Sequence, residues 1–513
     1  MWWFEKSERD KWAAPLALTR PSVHLGLPAL DERSRRLYGE ALPRGVLLPR
    51  LTPDRPPLNH WMPPHELANM NWVPGQIILG KFANRFIGYI DDRPMVTIAG
   101  ARAGKTSTVL EPNLYLYPGS AIVLDPKGEL TARTANIRRR LGHRVIVLDP
   151  FGQSGEPSAS FNALAELDPD NLTIIDDVAS ISQALIVSGD DARSRHWDDS
   201  ARVLLQGVIL LTLCLKDPAG CNLVTVRQLL SLTHPQLVAA VKAAPKPSDS
   251  GKPDKEFFDQ NRNAVETLLT MMVMAGANNR FGGILTAIGN RFLSTPHTER
   301  GSIFSTAAAQ TDFLDSLPLR AISMRSDFRL RELRSDRPTT IYLCLPVGRM
   351  ESHFRWLRTI VQLACTVLEQ MGSFPRDQPP ILFMMEEFAT LGHMDIMERA
   401  AAYFPGFGVK LWAILQDTTQ LRRHYQSSWE TFLGNAGLVQ CFANGDQATL
   451  DYIAHRLEKL IMPFELRTAF SRSQFSQLLM FEGEPPAAAI RLEHDDVAAI
   501  RARILHAMRN PRG

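Results

Sequence analysis

Apolar and polar positions along the chain fall into two rhythms. Short apolar runs bounded by Pro, Gly or charge predict strands at Ile77–Gly80, Phe86–Ile90, Pro94–Ala99, Ala121–Asp125 and Val145–Asp149. Runs at Thr339–Pro346, Ile381–Met385, Leu411–Gln416 and Val439–Ala443 predict more strands, with a helix at Phe354–Met371. Strand alternating with helix argues for βαβ units and a mostly parallel sheet. From about residue 170 to 320 the strand signal thins, and Ala201–Leu215 and Ala264–Ala277 carry helix formers with apolar faces. Residues 1–70 are rich in Pro and charge and read as an irregular arm, of a kind that wraps a neighbouring subunit. Residues 243–255 read as an exposed loop. Gly282-Gly283 follows no strand and reads as a turn between helices. No internal repeat is visible.

Composition changes this picture little. A chain of 513 residues holds two or three domains and a sizeable core. Apolar content of 45% and charged content of 22% are ordinary for a water-soluble protein. A net charge of +3 is too small to establish a nucleic-acid partner. Cys214, Cys221, Cys344, Cys365 and Cys441 are odd in number and lack metal-like spacing, which suits reduced core residues of a cytoplasmic protein. The longest apolar run, Val203–Leu215, contains Gln206 and Gly207 and falls short of the ~20 residues of a membrane span. It predicts a buried helix, and the chain has no predicted transmembrane span. Met1–Lys6 lacks the apolar core of a signal peptide. Trp2, Trp3 and Phe4 suit packing against the protein or contact with a membrane surface.

The candidate chemistry sits at two strand ends. Pro94–Ala99 runs into Gly100-Ala101-Arg102-Ala103-Gly104-Lys105-Thr106-Ser107. Gly104 lets backbone approach a phosphate while loop N–H groups face the anion. Lys105 suits the β- and γ-phosphates of ATP, and the Thr106 hydroxyl suits Mg²⁺. The standard pattern is G-x-x-x-x-G-K-[ST], and its first Gly is Ala99 here. Read alone, these residues also suit a strand–helix turn that binds nothing. Pro112 is expected to end or kink the following helix. Ile381–Met385 reads as a strand buried on both faces and ends in Glu386-Glu387. In a P-loop enzyme such a strand-end carboxylate holds Mg²⁺ and the next polarises the attacking water. Glu386 is therefore assigned to the metal with Thr106, and Glu387 to the water. The usual pair is Asp-Glu, so the extra methylene at Glu386 bears on rate. A charged strand end facing solvent is the alternative.

Beyond these segments, the chain is similar to the VirD4/TraG group of type IV secretion coupling proteins. The resemblance rests on Ala99–Thr106, Ile122–Leu130, Glu386–Gly392, Pro405–Val409, Leu415–Leu421, Gly434–Ala436 and Phe442–Asp446, in that order. It spans roughly residues 70 to 465. Arg102 matches the family's P-loop, Ala99 departs from it, and Gly100 is expected to take over the tight turn. The family also has a proline near Pro112.

The resemblance implies an α/β fold, a RecA-like P-loop ATPase core with an inserted all-α domain. The expected domains are an arm at 1–70, a nucleotide-binding domain at 71–170 and 320–465, the helical insert at 171–319, and a C-terminal extension at 466–513. It implies a homo-hexamer that feeds single-stranded DNA with its relaxase, or a protein effector, into a secretion channel. Gln416 would sense the γ-phosphate, or else cap a turn. The insert would contribute to substrate choice. Family members usually carry two N-terminal membrane helices. Their lack here leaves a naturally soluble branch or a chain with its anchor removed, cytoplasmic or held at the inner membrane's cytoplasmic face by partners. A docking adaptor with little hydrolysis and a stand-alone cytosolic DNA translocase are the alternatives.

Several basic clusters remain. Arg138-Arg139-Arg140 with Arg144 reads as a solvated helix face, with phosphate contact the alternative. Arg399, Arg422 and Arg423 are candidates for an arginine finger supplied in trans. Pro405-Gly406 replaces the Gly-Arg pair of some coupling proteins, so no finger transfers by resemblance. Arg501, Arg503, Arg509 and Arg512 suit a weak anion-binding helix or a frayed terminus.

Overall fold

The computed structural model describes residues 60–188, 192–214, 218–233, 235–237, 239, 263–375 and 378–509. Of the expected arm at 1–70, residues 1–59 lie outside the described residues, as does the loop at 243–255, and residues 60–70 contain the short helix Pro64–Asn69.

Among the described residues, eleven strands form one sheet, in the order β2-β1-β11-β10-β9-β3-β8-β7-β4-β6-β5. They are β1 Ile77–Phe82, β2 Arg85–Tyr89, β3 Met95–Ala99, β4 Ala121–Leu124, β5 Arg144–Leu148, β6 Thr339–Leu343, β7 Ile381–Met385, β8 Val409–Leu415, β9 Leu438–Phe442, β10 Ser476–Phe481 and β11 Ala487–Ile490. The seven strands from β9 to β5 pair in parallel. The four outer strands, from β10 to β2, pair antiparallel. Residues 476–490 therefore continue the sheet, and the chain past 465 is not the appended extension that the sequence suggests.

The parallel strands are mostly apolar because both faces are covered. Alternate side chains of β7 enter different cores: Ile381, Phe383 and Met385 on one side, Leu382 and Met384 on the other. The same alternation splits β3, with Val96 and Ile98 on the first side and Met95 and Ala99 on the second. Its middle residue, Thr97, is polar and fully buried. Thr97 Oγ1 accepts from Trp412 Nε1 at 2.8 Å and donates to Gln440 Oε1 at 2.8 Å. Gln440 donates to Gln477, whose amide donates to Leu79 O at 2.7 Å. This side-chain relay crosses β8, β3, β9, β10 and β1 and fixes their register. A slip of one residue would orphan several buried polar groups, at about 1–3 kcal/mol each.

Between β5 and β6 the described residues form helices and no strand, as the thinning signal predicts. Most of Val203–Leu213 is buried within the helix Ala192–Leu213, Val203 and Gln206 being half-buried, and no helix among the described residues is long and apolar enough to cross a membrane. Gly282 and Gly283 form a turn between helices Ala264–Ala275 and Ile284–Ser294, with φ 62° and 79°. Pro112 does not break its helix. The residues before it, Lys105–Leu110, form a wider π-helical turn in which the Glu111 N–H reaches back to Thr106 O. The proline then falls in the first turn of Glu111–Leu116, where a missing N–H costs little.

The basic run at 138–140 also differs from expectation. Arg139 and Arg140 are exposed, but Arg138 is fully buried. Its guanidinium donates to Leu114 O at 2.6 Å, Tyr117 O at 3.1 Å, Gly119 O at 3.0 Å and Thr340 Oγ1 at 2.7 Å. The fifth contact is His143 Nδ1 at 3.1 Å. Helical spacing explains this, because Arg138 shares a face with the buried Leu130, Thr131, Thr134 and Ala135. Arg144 pairs with Glu332. All five cysteines are free thiols, three of them buried.

Candidate nucleotide site

The strand order places β8 between β3 and β7, so three loops leave the sheet side by side at its carboxyl edge. That edge is where open α/β sheets bind ligands. β3 supplies the loop 100–104, β7 supplies Glu386-Glu387, and β8 supplies Gln416.

The loop's left-handed residues are Arg102, φ 55°, and Gly104, φ 87°. Gly100 does not make the tight turn expected of it. It is glycine because a Cβ there would stand 2.2 Å from Ala443 O. Ala99 is buried, and its carbonyl accepts from Lys105 Nζ at 2.7 Å, with Gly100 O at 3.2 Å. Lys105 thus folds back over its own loop. Burial pushes its pKa down, against the pull of the nearby Glu387 and Glu386 carboxylates. Ala101 and Arg102 are exposed, Ala103 is buried, and Ser107 is half-buried.

Thr106 Oγ1 donates to Glu386 Oε1 at 2.6 Å. Glu386 is buried, and its other oxygen, Oε2, has no hydrogen-bond partner. Burial raises its pKa to about 7, and Asp125 and Glu387 push the same way, while the Thr106 bond and Lys127 oppose them. Next in the chain, Glu387 holds φ 56°, a left-handed conformation that costs a non-glycine residue about 1–3 kcal/mol. Gln416 Nε2 donates to both of its oxygens, at 3.0 and 3.1 Å. Gln416 therefore caps no turn with its side chain. It ties the ends of β7 and β8 together.

These residues line one open cleft of about 1110 Å³. Ala101–Ser107, Glu386, Glu387 and Gln416 are all in its wall. Ala99 and Gly100 sit behind the loop. A hydroxyl beside a buried, unpartnered carboxylate oxygen is an all-oxygen donor set, the kind that suits Mg²⁺. Thr106 and Glu386 fit that ion.

Residues 65–477 match the family model described as type IV secretory system conjugative DNA transfer. The chain belongs to this family. It is 26% identical over 338 residues to the conjugal transfer protein TraG of Escherichia coli, covering 64% of this chain and 48% of that one. It thus spans about half the length of that relative. Its fold matches that of the plasmid coupling protein TrwB in complex with the non-hydrolysable ATP analogue ADPNP, with a TM-score of 0.58 at 15% identity over 85% of this chain and 93% of that chain. TrwB in complex with ADP and Mg²⁺ matches with a TM-score of 0.58 at 16% identity, again over 85% and 93%. This member of the conjugative DNA transfer family therefore has the RecA-type α/β fold, with a large, mostly parallel sheet.

The rest of the cleft was not legible as a site in this family member's sequence. Lys127, Glu129 and Arg133 line it from the segment after β4. The block Asp125–Leu130 was visible, but without a role. Asp125 is buried beside them, with Oδ2 held by Thr131 and Oδ1 without a partner. Ser471, Arg472, Ser473, Phe475, Arg491 and His494 form the facing wall. The one local signal for them is that Arg491 ends the apolar run Ala487–Ile490. The finger candidates do not line the cleft: Arg399 and Arg423 are exposed, and the Arg422 guanidinium lies 4.3 Å from the Trp429 ring centre. On the helix His494–Arg509, Arg501 is exposed and Arg503 half-buried, the Arg509 side chain and Arg512 lying outside the described residues.

Proposed function

We propose that this chain binds and hydrolyses ATP with Mg²⁺ and uses the energy to drive a conjugative or secreted substrate to a type IV secretion channel. The observation that carries the reading is the pairing across the cleft: Thr106 with Glu386, and Gln416 with Glu387. Lys105 and the loop amides of Ala101–Ser107 bind the phosphates, the lysine exchanging its carbonyl partners for phosphate oxygens. Thr106 and Glu386 hold the metal ion, which when bound neutralises charge on the phosphates. Glu387 orients the attacking water, and Gln416 holds Glu387 in place and registers the γ-phosphate. The complexes of TrwB with ADPNP and with ADP and Mg²⁺ support these ligands.

The family's description supports DNA as cargo and a type IV secretion system as its destination. The resemblance to the VirD4/TraG group adds a relaxase or a protein effector as cargo, channel proteins as partners, and a ring of six copies at the cytoplasmic face of the inner membrane. The test is ATP turnover by the purified chain with and without single-stranded DNA, beside Glu387→Gln. Turnover that rises with DNA and vanishes in the variant supports the motor. DNA-independent or absent turnover sinks it.

One observation favours a second reading, a docking adaptor with little hydrolysis. Glu386, a residue longer than the usual Asp, sits where burial favours its protonated form near neutral pH. Transport that survives Lys105→Ala in cells would establish the adaptor and overturn the motor.

A further inference from the structure

The cleft wall formed by the chain past residue 465 contains a buried arginine that no part of the proposed chemistry uses. Arg491 follows β11 and is 1% exposed. Its guanidinium lies 4.4 Å from the Phe442 ring centre and 5.3 Å from that of Phe475. One terminal nitrogen, Nη1, donates to Ala103 O, the carbonyl just before Gly104, and Nη2 reaches Arg472 O at 3.4 Å. The Arg491 backbone N–H is held by Phe475 O at 2.7 Å. A residue about 390 positions from the P-loop thus grips the loop's backbone.

A trans peptide is rigid and planar, and its C=O and N–H point in opposite directions. No peptide among the described residues is cis. Fixing the Ala103 carbonyl towards Arg491 therefore fixes the Gly104 N–H away from it. The positive charge also polarises that peptide and makes its N–H a better donor to an anion. Two aromatic faces leave the guanidinium little freedom to turn.

Accepting the nucleotide reading above, we propose that Arg491 is a positioning residue for the phosphate cradle: it clamps Ala103 from outside the loop so that the Gly104 amide is aimed at a bound phosphate. The P-loop and the segment that leads from β11 into the helix His494–Arg509, far apart in sequence, are thereby made parts of one binding site.

The experiment is fluorescence titration of the full chain with MANT-labelled AMP, ADP and ATP, for the wild type and Arg491→Gln, with thermal melts beside each. Loss of a charged hydrogen bond predicts affinity for ADP and ATP about tenfold weaker or more, with AMP little changed. Affinity within twofold of wild type, or equal losses for all three nucleotides, overturns the proposal. Should Arg491→Gln fail to fold, Phe475→Leu removes one stacking face and keeps the charge. ATP affinity then falls about threefold if the clamp matters, and unchanged affinity overturns it. Wild-type protein that binds no nucleotide would defeat the earlier functional reading instead.

Discussion

The two ends of the parallel strands are built to different standards. At the amino ends, most buried polar groups are partnered, Arg334 Nε before β6 being an exception. Arg138 makes five contacts to groups near the starts of β4, β5 and β6. Lys410, at the start of β8, donates to Asp91 O and Arg93 O just before β3. Ser120 serves both neighbours of β4, accepting from Thr339 N through its hydroxyl and from Leu382 N through its carbonyl. At the carboxyl ends the reverse holds. Asp125 Oδ1, Glu386 Oε2 and Asn444 Nδ2 are buried without partners after β4, β7 and β9. Arg102, Glu387 and Ala443 hold positive φ after β3, β7 and β9. One end spends its polar groups on stability, and the other keeps unmatched groups and strain for a ligand to use.

The contrast can be broken from either side. The largest effect is expected from Glu387→Gln, which should lower ATP turnover about 10³-fold in a steady-state assay while shifting the urea midpoint little. Arg138→Met should do the opposite. It strands the carbonyls of Leu114, Tyr117 and Gly119, and should cost about 3–5 kcal/mol in urea denaturation, with nucleotide affinity intact while the chain stays folded.

His143 gives a smaller effect with a defined sign. Burial, reinforced by the Arg138 charge, drives its pKa down to about 2, so it is neutral in the fold. The unfolded chain takes up the proton below about pH 6.5 and the folded chain does not, so stability falls as pH drops below 6.5. Between pH 6 and 5 the wild type should lose about 1 kcal/mol more than His143→Gln in parallel denaturation curves. The smallest effect sharpens the strain argument. Glu387→Gly should stabilise the protein by about 1 kcal/mol or less in the same assay, because glycine adopts a left-handed φ freely. No gain would mean that the site stores no strain at that residue.

Legibility in the sequence followed the distance over which each feature is decided. The loop 100–107 and the run Ile381–Glu387 were readable because each is a local strand-to-loop transition with its own residue pattern. The helical segment before β6 was readable from periodicity. Arg138 was misread because two exposed arginines follow it, although its helical spacing from Leu130 and Thr134 carried the signal. The facing wall of the cleft was invisible for a physical reason. It depends on β10 and β11 adding antiparallel to β9, and pairing between strands leaves no mark on either segment alone. The resemblance ended near 465 and so stopped short of that wall.

The relay through Thr97 also bears on how the chain is made. β3 is an early strand, but its two neighbours, β8 and β9, lie far downstream, and the hydroxyl of Thr97 bonds to Trp412 and Gln440. During synthesis, β3 emerges with no strand on either side until Val409–Leu415 and Leu438–Phe442 have left the ribosome. Such long-range pairing is slow and leaves apolar strand edges open to other chains. The P-loop segment is thus among the first structured parts to be translated and among the last to become a binding site. A nascent chain broken off before Leu438 would be a client for chaperones rather than a smaller nucleotide-binding protein.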